Sequence, residues 1–280
     1  MKTLNVYKSP EGQKQILQCY EKNLATWPVP KETMVIDNPI AQGFVIASGP
    51  KNAPPLVLFH GSGSNSLTWA NESVELSKHF RLYAMDLPGE PGKSEARRYD
   101  WQGQEYMDWI SMMLESLGIE ECVMGGLSLG GGFALKYAAN NRDRVKALVL
   151  ISPGGIVPVK PDLKLIWYAL QGKRGFEKMC RYLFPGVILD GPAAEFMALT
   201  AEHFNYNQGQ PPQVSDEALK QLSIPVLYYA GGKDPLVNTK ATLTRLKKHV
   251  AQLYARIYED KGHLLLPLAK EIVKDLKNHL

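Results

Sequence analysis

Short apolar segments alternate with helical patterns along most of this 280-residue chain. Many of these segments contain β-branched or aromatic residues and end at Gly, Pro or Asp, which is typical of buried strands. We predict strands at 34–36, 43–47, 56–59, 81–85, 122–124, 147–151, 226–230 and 253–258. We predict helices at 13–26, 71–78, 104–117, 131–140, 239–250 and 268–280. This alternation predicts an α/β fold, a mostly parallel, doubly wound eight-stranded sheet with helices on both faces.

The segment from 153 to 222 interrupts the alternation because it contains no convincing strand. Helical patterns inside it lie at 163–171, 175–184 and 193–204. We predict that this segment is a helical lid (cap) inserted after strand 6, and that 1–152 and 223–280 together form the core domain. The alternative is that these helices simply belong to the main domain.

The composition limits the classes of protein to which the chain can belong. Apolar residues make up 45% and charged residues 21%, which excludes a disordered chain. The net charge of +4 is spread along the chain without a basic block, so we expect no nucleic-acid partner. Three cysteines without C-x-x-C spacing argue against a disulfide scaffold and a cysteine-based zinc site. We find no signal-peptide stretch and no apolar run of about 18 residues, so we expect a cytoplasmic protein without a membrane span.

The motif G-x-S-x-G occurs at 126–130, after the predicted strand at 122–124 and before the predicted helix at 131–140. In this context the motif predicts a nucleophile elbow, in which a sharp, strained turn exposes the hydroxyl of Ser128. The start of the helix would direct N–H groups and a partial positive charge toward a developing anion. The alternative is a glycine-rich turn without a catalytic role, or a phosphate loop, although no G-K-[ST] sequence follows.

A serine hydroxyl needs a neighbouring base to become a good nucleophile. His263 follows the last predicted strand across a short turn, and Asp234 follows the strand at 226–230. Both therefore lie with Ser128 at the carboxyl edge of the sheet, where α/β folds bind their ligands. The joint appearance of the three residues predicts a triad in which Asp234 orients the imidazole. Taken singly, Asp234 could also be an ordinary turn residue before a proline, and His263 could be an exposed loop residue.

The sequence His-Gly-Ser-Gly at 60–63 directly follows the predicted strand at 56–59. Acyl transfer needs preformed N–H donors that stabilise an oxyanion. Since flexible glycines after a strand can present such a donor, we predict an oxyanion hole formed by the backbone N–H groups of Ser62 and Leu129. His60 precedes the nucleophile, and we interpret it as a structural residue that supports the loop.

With these motifs the chain resembles the α/β-hydrolase fold superfamily, in the lidded serine-hydrolase branch that includes microbial carboxylesterases and carbon–carbon bond hydrolases. The matching segments are HGSG at 60–63, DLPG at 86–89 with GKS at 92–94, GLSLGG at 126–131, GKDP at 232–235 and GH at 262–263. The resemblance implies the α/β-hydrolase fold, with Ser128 as nucleophile, His263 as general base and acid, and Asp234 as its orienter. It also implies that the Ser62 and Leu129 amides form the oxyanion hole.

The resemblance covers roughly 33–152 and 223–280, and the sequence departs from the family pattern in one of its loops. Glu90 and Pro91 separate two glycines where the family usually has a single residue. We expect this difference to reshape the rim near the site without touching the triad.

The identity of the predicted nucleophile limits the reactions that the chain could catalyse. A serine disfavours the haloalkane dehalogenase and epoxide hydrolase branches, whose chemistry needs a carboxylate nucleophile. We therefore expect a carboxylesterase that cleaves small or medium carboxylic esters through an acyl-enzyme, without a metal or cofactor. The alternatives are a carbon–carbon bond hydrolase, an amidase or a thioesterase on the same triad, and a ligand-binding receptor that retains the fold. The natural substrate and the oligomeric state do not follow from the sequence.

Overall fold

An eight-stranded sheet forms the centre of the computed structural model, which describes residues 5–159, 162–169, 171–187 and 190–280. Its strands are β1 (Lys31–Ile36), β2 (Gly43–Ser48), β3 (Pro55–Phe59), β4 (Arg81–Asp86), β5 (Cys122–Leu127), β6 (Val145–Ile151), β7 (Val226–Gly231) and β8 (Leu253–Tyr258). Their order across the sheet is β1-β2-β4-β3-β5-β6-β7-β8. Strand β2 is antiparallel to β1 and β4, and the other neighbours are parallel. The predicted fold class is therefore confirmed, and every predicted strand overlaps an observed one.

The central strands are apolar on both faces because helices cover both. In β3, Val57 and Phe59 belong to one buried cluster, and Leu56 and Leu58 belong to a second cluster on the opposite face. This division follows from the pleat, since successive side chains of a strand point to opposite faces. Burial on both faces also explains why these strands read as continuous apolar runs rather than as alternating patterns.

Ten α-helices are described: α1 (Pro10–Ala25), α2 (Ala70–Leu76), α3 (Glu105–Ser116), α4 (Leu129–Asn140), α5 (Leu163–Ala169), α6 (Gly172–Leu183), α7 (Gly191–His203), α8 (Asp216–Lys220), α9 (Thr239–His249) and α10 (Ala269–His279). Helix α3 buries Tyr106, Trp109, Ile110, Met113 and Leu114, and this spacing is that of one helix face. Helix α1 begins earlier than predicted because the Ser9 side chain caps it and a proline occupies its first turn. The short helix α8 was not predicted, since five residues carry too little periodicity.

Helices α5 to α8 lie in the chain between β6 and β7, where the lid is predicted. Residues 160, 161, 170, 188 and 189 of that predicted segment lie outside the described residues. Helix α7 packs against α1, with Phe196 and Phe204 buried beside Ile16. The backbone N–H of Lys8 donates to the carbonyl of His203 at 2.8 Å, which ties the N-terminal segment to the end of α7. The division of the chain into a core and a lid remains a prediction.

Candidate active site

Ser128 directly follows β5 and forms the N-terminal boundary of α4. Its backbone has φ 53° and ψ −114°, a left-handed conformation that is strained for a residue with a side chain. The turn is held by backbone hydrogen bonds: the Ser128 N–H donates to Ile151 O at 2.9 Å, and its carbonyl accepts from Gly154 N at 2.9 Å. The predicted strand–turn–helix elbow is thus present. Within the described residues, the Ser128 hydroxyl has no hydrogen-bond partner.

Two glycines of the motif allow the backbone to pack closely behind the elbow. A Cβ atom on Gly126 would lie 2.7 Å from the carbonyl oxygen of Gly130. A Cβ atom on Gly130 would meet the carbonyl oxygen of Phe59, and it would lie 2.5 Å from that of His60. Such distances to backbone atoms exclude a side chain at either position. Helix α4 therefore starts directly against the end of β3, and this brings the loop after β3 next to Ser128.

His263 and Asp234 are in direct contact. The Nδ1 atom of His263 lies 2.7 Å from Oδ2 of Asp234. The Asp234 side chain is fully buried and that of His263 is 9% exposed. The second carboxylate oxygen, Oδ1, accepts hydrogen bonds from the backbone N–H groups of Leu236 at 2.8 Å and Val237 at 3.0 Å. Because both oxygens are fixed, this carboxylate can set the orientation of the imidazole.

The loop after β8 folds back over the end of β7. The Lys233 N–H donates to Lys261 O at 2.9 Å, and a Cβ atom on Gly231 would meet the carbonyl of Gly262. Since neighbouring strands lie about 4.8 Å apart, this fold-back moves the loop that carries His263 from β8 toward β5. No hydrogen bond joins Ser128 to His263 among the described residues. The pairing of nucleophile and base therefore stays a prediction.

We call residues 60–65, which follow β3, the oxyanion loop after its predicted role, and this loop lies beside the elbow. A Cβ atom on Gly61 would be 3.6 Å from Cβ of Ser128. The N–H groups of Ser62 and Leu129 have no hydrogen-bond acceptor in the described part of the chain. For Leu129 this follows from its place in the first turn of α4, where N–H groups lack intrahelical acceptors. Both amides are thus available as donors, although their role in an oxyanion hole stays a prediction.

His60 supports the oxyanion loop as a buried, neutral imidazole. Its Nε2 accepts the backbone N–H of Leu87 at 2.9 Å, which leaves Nδ1 as the protonated nitrogen facing Gly61 O at 2.8 Å. Burial lowers the pKa of the imidazole, against the opposing effect of the Asp86 carboxylate. The interpretation of His60 as a structural residue agrees with these contacts.

Glu90, to which none of the sequence motifs assigns chemistry, is buried against the oxyanion loop. Its Oε2 atom accepts the backbone N–H of Gly63 at 2.6 Å, and only 2% of the residue is exposed. Burial raises the pKa of Glu90 to about 7. The departure from the family pattern at 90–91 was the available signal, but its consequence depends on a contact between residues 27 positions apart.

The described ranges contain neither a candidate metal centre nor a candidate membrane-spanning helix. Within 5–159, 162–169, 171–187 and 190–280, no group of three or more His, Cys, Asp or Glu residues is placed to hold a metal ion. In the same ranges, no helix combines the length and the apolar character that crossing a bilayer requires.

The chain is similar to several known proteins. A family profile described as alpha/beta hydrolase fold matches residues 54–179. Carboxylesterase YbfK of Bacillus subtilis (strain 168) is 27% identical over 268 residues, which cover 92% of this chain and 90% of that protein. The crystal structure of the same carboxylesterase superimposes with a TM-score of 0.85 over 96% of this chain and 98% of the other.

Two other similarities bear on the choice of reaction. The crystal structure of naproxen esterase from Bacillus subtilis gives a TM-score of 0.87 at 26% identity, over 96% of this chain and 99% of the other. The 2-hydroxymuconate semialdehyde hydrolase of Pseudomonas sp. (strain CF600) is 32% identical, but over only 40% of this chain and 41% of that protein. The similarity to the esterases thus extends over more of the chain.

Proposed function

The chain belongs to the α/β-hydrolase fold superfamily, and from this premise we propose that it is a carboxylesterase. The resemblance recognised in its motifs is confirmed by the family profile and by relatives similar over most of its length. The observation that supports an ester substrate best is the similarity to two esterases across nearly the whole chain. The 2-hydroxymuconate semialdehyde hydrolase, which is named for a different substrate, matches only 40% of this chain.

In the proposed mechanism, the Ser128 hydroxyl attacks the ester carbonyl while Nε2 of His263 takes its proton. The carbonyl oxygen becomes an oxyanion, which the Ser62 and Leu129 amides stabilise. His263 then returns the proton to the departing alcohol, leaving an acyl-enzyme. A water molecule, deprotonated by the same imidazole, releases the acid and restores Ser128. The contact of Asp234 with Nδ1 supports this assignment because it leaves Nε2 to accept the proton.

Contacts of the segment at 153–222 support its proposed role as a lid over this site. The backbone N–H of His263 donates to Leu183 O, at the end of α6, at 2.9 Å. The ring of Tyr206 packs on Gly63, with its Cζ atom 3.1 Å from where a Cβ would be. One segment therefore touches both the loop of the proposed base and the proposed oxyanion loop.

Two measurements test the proposal. A fluorophosphonate probe should label Ser128, since the probe reacts with activated serine hydroxyls, and peptide mapping locates the label. A hydrolysis panel of p-nitrophenyl esters of increasing acyl length, amides, thioesters and β-diketones should show the esters cleaved fastest. Label on another residue would contradict the assignment of the nucleophile. Faster cleavage of β-diketones would favour a carbon–carbon bond hydrolase instead.

A further inference from the structure

The loop after β4 holds the oxyanion loop at three points. The Leu87 N–H donates to the His60 imidazole at 2.9 Å, the Glu90 carboxylate accepts from Gly63 N at 2.6 Å, and Pro91 O accepts from the Asn65 side-chain amide at 3.0 Å. The loop after β4 uses its main chain in the first and third of these links. Glu90 makes the middle link with its side chain. Replacing this side chain therefore changes one link and leaves the other two.

The middle link is the one next to the proposed oxyanion donor. The Gly63 N–H belongs to the peptide group that follows Ser62, so fixing it restricts rotation of the Ser62 backbone. The Gly63 N–H donates to Glu90, whereas the Ser62 N–H has no acceptor in the described part of the chain. Of these two neighbouring amides, only that of Ser62 is therefore available to donate to an oxyanion.

The charges around Glu90 determine when this link is strong. Burial is the main cause that raises the pKa of the carboxyl, and the Gly63 N–H, the Arg98 guanidinium and the Ser62 hydroxyl lower it in part. The titratable and charged groups that face the carboxyl are Arg98, Tyr7, Tyr106 and Tyr206. Burial raises the pKa of the three tyrosines, so their phenols stay neutral near pH 7. Of these, only Arg98 is charged near neutral pH.

We propose that Glu90 is a positioning residue for the oxyanion hole, in which its carboxylate binds the Gly63 N–H and thereby holds the Ser62 amide toward the developing oxyanion. The inference rests on the proposed function, since it assumes that Ser62 is the donor. An ionised carboxylate accepts a stronger hydrogen bond than a protonated one, so the anion is the form that positions the loop. Full activity then requires two protons to leave, one from His263 and one from Glu90.

The pH dependence of kcat/KM tests this requirement. As the pH falls through the range in which Glu90 takes up its proton, log(kcat/KM) of the parent should fall with a slope steeper than one, because protonation of Glu90 adds a loss of up to about 10- to 100-fold to the loss from protonation of the proposed general base. In Glu90→Gln the amide oxygen can still accept the Gly63 N–H but no longer titrates, so the slope should not exceed one. A slope of one throughout the parent profile, or a slope steeper than one in Glu90→Gln, overturns the proposal.

Removing the acceptor tests the positioning itself. Glu90→Ala should lower kcat by about 10- to 100-fold, less than the loss expected for deleting an oxyanion donor outright. KM should change by less than about threefold, since the link acts on the transition state. The matched control is Glu72→Gln, another buried carboxyl that accepts a backbone N–H, from Leu268 at 3.0 Å. It should keep the parent kcat and the steep segment of the parent pH profile.

Hydrogen exchange of the peptide covering 60–66 gives a readout that does not depend on ester hydrolysis. In Glu90→Ala the amide hydrogen of Gly63 should exchange with solvent faster than it does in the parent, while the remainder of the chain stays as protected as in the parent. Unchanged exchange overturns the link, and faster exchange with parental kcat overturns its role in catalysis. Ser128→Ala separates the two ideas: if that variant stays active, the proposed nucleophile fails, and the exchange experiment still reports on Glu90.

Discussion

Ser128 and the His263–Asp234 pair lie at the same edge of the sheet, but different interactions hold them. The elbow is held by main-chain hydrogen bonds and by glycines that let backbones touch. The pair is held by its own side chains, with the Asp234 carboxylate accepting two backbone N–H groups and contacting the imidazole. Substitutions near Ser128 should therefore affect folding, whereas substitutions of Asp234 should affect chemistry with little change in the fold.

The largest effect is expected at Ser128, the proposed nucleophile. Ser128→Ala should lower kcat for ester hydrolysis by about 10⁶-fold, as loss of the nucleophile does in serine hydrolases, while the protein remains folded. The matched control is Ser152→Ala, because Ser152 also has a positive φ directly after a parallel strand, and its buried hydroxyl has no hydrogen-bond partner among the described residues. Steady-state kinetics and circular dichroism measure both variants. Parental activity of Ser128→Ala would mean that another residue attacks the ester.

The next effect tests the side-chain half of the comparison. Asp234→Asn should lower kcat by about 10⁴-fold, since an amide favours the wrong tautomer of His263. The free energy of unfolding should change by much less than the activation free energy of ester hydrolysis does. Asp216→Asn is the control, because Asp216 contacts a different histidine, His249, at 3.3 Å. If both substitutions reduced activity equally, the role assigned to Asp234 would be wrong.

Glu90 extends the comparison, because the oxyanion loop depends on main-chain contacts and on this one carboxylate. Its pKa is about 7 in the folded protein instead of the usual 4.5, so the folded state holds the proton more tightly than the unfolded state does. The contribution of Glu90 to the stability of the parent should therefore be lost as pH rises from about 4.5 to 7, and it should be fully present below that window. Gln does not titrate, so the stability of Glu90→Gln relative to the parent should increase by about 3 kcal/mol over this window. Denaturant unfolding at several pH values measures this difference; a constant difference would contradict it.

The smallest effect concerns the glycines of the elbow. Gly130→Ala gains about 1 kcal/mol in helix propensity, but its Cβ would collide with main-chain oxygens of Phe59 and His60. We expect the collision to dominate and to lower the free energy of unfolding by about 1–3 kcal/mol. Gly61→Ala is the control, since its Cβ would lie at an ordinary 3.6 Å from Ser128. Urea denaturation compares the stabilities of the two variants. Equal stabilities would mean that close backbone packing is not what holds the elbow.

Most of the fold was predictable from local patterns. Each of the eight strands overlaps an apolar run that predicts one. For the six inner strands, β2 to β7, burial between two helical layers requires such a run. The candidate site was predictable in part for a related reason. Parallel strands end at one edge of a sheet, so residues that follow strands, such as Ser128 and Asp234, can be placed there without knowledge of the strand order.

The remaining features depend on contacts between distant parts of the chain. The sequence by itself determined which residues form strands and helices and which reactive side chains follow them, because burial periodicity and turn chemistry are local. Only the tertiary structure decided that Asp234 touches His263, and that Glu90 reaches Gly63 across two loops. The raised pKa of Glu90 has the same origin, because it reflects removal from water by elements that lie far apart in sequence.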